Sequence, residues 1–187
     1  MKKIVLFAAL MVATLTANAQ NEVGQITLKP MAGMTLANTT DHGGDTKMKV
    51  GLAAGVEGEY GLAENFSLTA GLIYSMQGSK DDKGDGKEKL DYLNIPILAN
   101  YYVMKGLAIK AGIQPGFLMS AKNEDGDSFK DQCNTFDLSI PLGVSYEYQN
   151  FVIDARYNLG LTKINKEGDK SHKNSVFMFT LGYKFAL

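Results

Sequence analysis

Few side chains in this 187-residue sequence have the type and spacing to do chemistry. The only histidines are His42 and His172, the only cysteine is Cys133 and the only arginine is Arg156. Imidazole serves as a metal ligand or as a general base, so His42 and His172, with Asp41, Asp45 and Ser171 beside them, raise a metal site or a hydrolytic Ser-His-Asp set. Solvated loop histidines are the simpler account, and no metal ligand or catalytic residue is assigned. The runs 81–86 and 123–128 resemble calcium loops only faintly. Counting from Asp81, position 12 is Tyr92, and counting from Asn123, position 6 is Ser128 where a calcium loop needs glycine. Cys133 has no second thiol in the chain with which to form a disulfide. What is left is a scattered set of charges, Glu57, Glu59, Lys110, Glu147, Asp154, Arg156 and Lys184, whose meaning depends on the elements that carry them.

Those elements show a period of two, the mark of a strand with one apolar face. Near the C-terminus Phe177, Phe179, Leu181, Tyr183 and Phe185 share one parity, and Val176, Met178, Thr180, Gly182 and Lys184 the other. The same pattern predicts strands at about 26–37, 48–60, 66–77, 90–103, 107–121, 135–148, 151–162 and 175–185. Each is long enough to cross a bilayer as a tilted strand, which takes roughly 9 to 11 residues. Their connections alternate between long (38–47, 78–89, 122–133, 163–174) and short (61–65, 104–106, 149–150). Long external loops and tight periplasmic turns are the asymmetry of outer-membrane barrels, and this places both termini in the periplasm.

The apolar parity must face outward. An eight-stranded barrel has an interior just wide enough to be filled by side chains, so large residues from every strand could not all be housed there. The opposite parity, with Gly51, Gly55, Gly71, Gly112, Gly116, Gly143, Gly160 and Gly182, suits a narrow lumen. Two aromatic groups fit interfacial girdles. One is Tyr60, Phe66, Tyr101, Tyr102, Tyr148, Phe151, Tyr183 and Phe185, near the short turns; the other is Tyr74, Tyr92, Phe117, Phe136, Tyr157 and Phe177, toward the long loops. The seven charges then point inward, in the periplasmic half. Buried ions need partners, and the Arg156 fork can bridge two carboxylates, with Asp154 and either Glu147 or Glu57 nearest. A polar plug follows, with a narrow passage for small ions as the alternative.

Composition agrees. After residue 19 no apolar run approaches the 18 residues of a spanning helix. Met1-Lys2-Lys3, the apolar run from Ile4 to Leu15 and Ala17-Asn18-Ala19 have the layout of a secretory signal. We therefore expect a signal peptide at 1–19 and one domain at 20–187. Without Lys2 and Lys3 the chain has 17 basic and 20 acidic residues, which gives no reason to expect nucleic acid. No sequence motif calls for a cofactor.

At Tyr92-Leu93-Asn94-Ile95-Pro96-Ile97-Leu98, and again at Leu138-Ser139-Ile140-Pro141-Leu142-Gly143, the chain resembles the small porin-like outer-membrane β-barrel family. The resemblance covers the whole region after the signal. It implies an eight-stranded antiparallel up-and-down transmembrane β-barrel in the outer membrane of a Gram-negative bacterium, embedded in outer-membrane lipid and inserted by the barrel-assembly machinery. Proline removes a ladder donor, so Pro96, Pro115 and Pro141 predict bulges or bends. The function expected is non-enzymatic: a structural or interaction role, with an extracellular or envelope protein as partner through the loops. A porin-like channel and an outer-membrane lipid-modifying enzyme are the alternatives, and a soluble periplasmic carrier is the architectural rival.

Overall fold

Alternating β-branched, aromatic and small residues give this chain long strands, and the register between them closes the sheet on itself. The computed structural model describes residues 23–40, 46–81, 88–166 and 172–187. In chain order the strands are β1 (Ile26–Thr40), β2 (Thr46–Ala63), β3 (Phe66–Gln77), β4 (Ser79–Asp81), β5 (Lys89–Asn94), β6 (Ile97–Met104), β7 (Leu107–Lys122), β8 (Phe136–Tyr148), β9 (Phe151–Gly160), β10 (Lys173–Tyr183) and β11 (Phe185–Ala186). Neighbours along the chain pair antiparallel. β1 pairs both with β2, from Ile26↔Tyr60 to Ala37↔Lys49, and with β10, from Met31↔Gly182 to Thr40↔Lys173. That second pairing closes an eight-stave barrel, in which β5 with β6 makes the fourth stave and β10 with β11 the eighth. Closure leaves no edge, which hydrocarbon requires because it offers no water to unpaired backbone groups. The short β4 pairs with Thr46–Met48 and extends one hairpin beyond the wall.

Of the bulges or bends expected at the prolines, no register shift falls at any of the three. Pro96 parts β5 from β6, yet β3 keeps one register across the gap, with Ile73 opposite Asn94 and Ala70 opposite Ile97. At Pro141 the β7–β8 ladder is interrupted between Ala111↔Leu142 and Gln114↔Ser139, again without a slip. Pro115 stays in register with Leu138. A missing N–H deletes a bond, and the bonds on either side hold the strand in place. The register shift in this part of the wall lies instead between Asp91 and Tyr92 in the β5–β7 pairing.

The two faces differ as the alternation predicts. Ile153 and Leu181, cross-strand partners, are 62% and 55% exposed, whereas Arg156, three residues along β9 from Ile153, is 2% exposed. A continuous exposed apolar surface of this size is stable only against lipid. Aromatic pairs sit at both levels of that surface: Phe151 meets Tyr183 edge-on at 5.2 Å near the short turns, and Phe117 meets Phe136 at 5.9 Å near the long loops. Two tyrosines expected in the girdles leave them. Tyr92 is buried in the lumen, on the parity of Leu90 and Asn94, and Tyr102 turns its hydroxyl inward. The lumen also holds more apolar volume than expected, with Met31, Ala53, Ile73 and Met178 packed together at mid-height. Space left between polar layers is filled by carbon because empty volume forfeits packing contacts.

Candidate functional site

Strand parity turns eight charged side chains into the lower lumen, and they form two chains of ion pairs. The upper chain alternates in sign as Lys29, Glu57, Arg156, Asp154 and Lys110. Arg156 Nη1 and Nη2 donate to Glu57 Oε1 and Oε2 at 2.5 and 2.9 Å, while its Nε and Nη2 donate to Asp154 Oδ1 and Oδ2 at 2.6 and 2.9 Å. The planar fork thus satisfies two carboxylates at once, geometry that an ammonium cannot supply. Lys29 Nζ closes one end, 2.8 Å from Glu57 Oε2, and Lys110 Nζ the other, 2.8 Å from Asp154 Oδ2.

The lower chain is Glu147, Lys184 and Glu59. Lys184 Nζ donates to Glu147 Oε2 at 2.7 Å and lies 3.1 Å from Glu59 Oε2. Ser67 and Tyr102 complete it by donating to Glu59 Oε1 at 2.5 and 2.6 Å. The upper chain carries one surplus cation and the lower one surplus anion, so the eight charges sum to zero. Balance matters because an unmatched ion out of water costs several kcal/mol, on the order of what a single pair returns. All eight staves contribute a polar side chain to the two layers.

Glycines make room for these side chains. Gly71 faces Glu57 and Gly143 faces Arg156 across adjacent strands. A Cβ on Gly143 would stand 2.9 Å from Arg156 Cγ, and one on Gly182 would stand 2.9 Å from Lys29 Cγ. Large ions and absent side chains therefore alternate around one narrow cross-section, which is how an eight-stranded lumen can hold an arginine lying flat.

The seven charges read from the sequence all enter these layers. Glu57 rather than Glu147 shares Arg156 with Asp154, and Glu147 belongs to Lys184 instead. Sequence reasoning missed Lys29 and the hydroxyls of Tyr102 and Ser67. One signal pointed to Lys29: the seven charges alone comprise three cations and four anions, and Lys29 shares the parity of Thr27 and Met31 on β1, both buried.

The other candidates are placed as follows. His42, Asp41, Asp45 and Ser171 lie outside the described residues, as do 82–86 of the first acidic run. His172 is half-buried at the extracellular mouth. Asn123 spends its side chain on its own turn, accepting the Asp127 amide at 2.8 Å, with Gly126 at φ +91° supplying the left-handed corner.

Cys133 is buried, and burial pushes its thiol pKa up. It helps to lock two of the long loops together. Cys133 pairs with Asn165 in an isolated bridge, the Asn134 amide donates to the Ile164 carbonyl at 2.6 Å, and the Lys166 amide donates to the Gln132 carbonyl at 3.1 Å. Joined in this way, the loops press Cys133, Ile164 and Phe129 onto Leu90, Tyr92, Leu118 and Ala121, an apolar cork at the end opposite the ions.

Solved structures with this architecture include Ail, the attachment invasion locus protein of Yersinia pestis, at 18% identity and a TM-score of 0.55, with 88% of this chain and all of that one covered. Ail has also been solved in complex with the heparin analogue sucrose octasulfate, at 17% identity and a TM-score of 0.56, with the same coverage. Neisserial surface protein A matches at 15% identity and a TM-score of 0.52, over 86% of this chain and 96% of that one. At these identities the likeness is one of fold. No curated protein matches the sequence. The sequence model of the outer membrane protein beta-barrel domain matches residues 18–166, most of the chain. Together with the closed wall and its apolar outer face, this match shows that the protein is a bacterial outer-membrane barrel and belongs to the outer membrane protein beta-barrel domain family.

Proposed function

We propose that this barrel is a non-enzymatic scaffold with a closed lumen, which anchors and presents its extracellular loops rather than passing solutes. The observation that carries this reading is the pair of buried ion-pair chains, in which every charged group is spent on another across the cross-section. A conducting pore lined by charge keeps those groups solvated and available to ions. Here the carboxylates of the two layers are already held by Lys29, Arg156, Lys110 and Lys184, and Asp137, higher in the lumen, accepts from the Thr162 hydroxyl at 2.6 Å. Its partners on this reading are outer-membrane lipid along the wall and an extracellular or envelope protein at the loops, since rigid scaffolds concentrate function on the loops they carry.

Planar-bilayer recording of the purified protein tests it. The expected trace stays at baseline, and a large steady conductance from the wild-type protein rules the closed scaffold out. The enzymatic alternative is tested separately, by mass spectra of outer-membrane lipid from cells with and without the gene. Identical spectra are expected.

A further inference from the structure

The extracellular mouth contains a cavity that neither the ion-pair layers nor the wall accounts for. It measures about 410 Å³ and lies between the locked loops and the top of the fourth stave. That is toward the lower end of the roughly 300 to 1,000 Å³ typical of small-molecule sites. One side is carbon: Leu90 and Ile164, which are 1% and 7% exposed, and the half-buried ring of Phe129. The rim is polar: among the described residues Glu88 and Asp131 bring two carboxylates against one ammonium, Lys166, whose Nζ already donates to the Asp131 backbone carbonyl at 2.9 Å, and the His172 imidazole. The wall is rigid for a loop site, because the backbone bonds from Asn134 to Ile164, from Lys166 to Gln132 and from Ile164 to His172 hold both loops.

We infer that this cavity binds a small organic ammonium with an apolar body, an arylamine or alkylamine, its body on Leu90, Ile164 and Phe129 and its cation drawn to Glu88 and Asp131. An anion meets two carboxylates there, against one ammonium already engaged and the His172 imidazole. A neutral apolar molecule gains nothing from the two carboxylates, of which Glu88, among the described residues, accepts only a long bond from the Ser79 hydroxyl at 3.5 Å. Phe129 adds to the preference, because an aromatic face attracts a cation within about 6 Å of its centroid. This inference is independent of lumen closure: a conducting barrel can hold the amine, and a closed one can fail to.

The test uses the full barrel in nanodiscs, titrated with phenethylamine, 2-phenylethanol and phenylacetate, which share one ring and differ in charge. The readouts are the Ile164 methyl and the Phe129 and Cys133 amides by NMR, with empty nanodiscs correcting for partition into lipid. Phenethylamine is expected to give saturable shifts at these residues, with the alcohol about five-fold weaker and the acid weaker still. Glu88→Gln and Asp131→Asn should each weaken the amine about five-fold and leave the alcohol unchanged, since the charge is removed while shape is kept. Heat-dependent gel mobility checks that the variants remain folded, and the wild-type ligand series needs no variant at all. Equal affinity for amine and alcohol, shifts that never saturate, or an amine affinity indifferent to both substitutions would each overturn the inference.

Discussion

Arg156 is the side chain on which the upper ion-pair chain turns, because its planar fork makes paired hydrogen bonds to two carboxylates from different staves. Removing it leaves Glu57 with Lys29 and Asp154 with Lys110 around a buried void, and breaking a buried pair by deleting one partner costs about 3 to 5 kcal/mol. Arg156→Ala is therefore expected to lower stability by about that amount, read as the urea midpoint of unfolding from lipid vesicles. Arg156→Lys should recover only part of it, because a point charge replaces a fork. A loss under about 1 kcal/mol would place Arg156 in the class of solvated surface pairs. Gly143→Ala tests the same layer from the opposite strand. Its Cβ would crowd Arg156 Cγ at 2.9 Å and the Ala155 carbonyl at 2.6 Å, an overpacking cost of about 1 to 3 kcal/mol in the same assay. Parity made the inward direction of Arg156 legible in the sequence. Its choice of Glu57 was not legible, because β2 and β9 are not neighbours and meet only across the lumen.

At the level of the strand, alternation carries nearly all the information. It located the eight staves because each is apolar on one face only, and it failed where a stave departs from regular pairing. The fourth stave divides at Pro96 and the eighth at Lys184, and Tyr92, suited by residue type to the lipid face, lies inside with Leu90. An aromatic ring is at home in either environment, so type cannot override register. The outward parity can be tested at the middle of β8, where Leu142 is 49% exposed. Leu142→Lys should cost about 2 to 4 kcal/mol by urea unfolding in bilayers, the penalty for a cation facing the hydrocarbon midplane. Leu142→Met keeps volume and polarity and should cost less than about 1.5 kcal/mol. If lysine were tolerated as well as methionine, Leu142 would not face lipid.

For the whole molecule, the proposed closure of the lumen rests on two clusters of different chemistry. Ion pairs cross the half near the short turns, and Phe129, Cys133 and Ile164 pack as a cork at the long-loop end. If each closes the lumen, the two act in series and either one alone stops flow. The cork could not be read from the sequence, because it is built from loops whose contact depends on closure bringing residues 129–134 against 164–166. Its two expected consequences differ from those of a single gate. Neutralising the lower chain with Glu59→Gln, Glu147→Gln and Lys184→Met should leave planar-bilayer current at baseline, because the upper chain and the cork still stand. Shortening residues 123–134 alone should also leave it there, because the ions remain. Only a variant that combines the loop deletion with Glu57→Gln, Asp154→Asn and Arg156→Met alongside the lower-chain changes should conduct, provided heat-dependent gel mobility shows it folded. Current from the loop deletion alone would assign the whole barrier to the cork, and current from the lower-chain variant alone would show that neither the upper chain nor the cork is a seal.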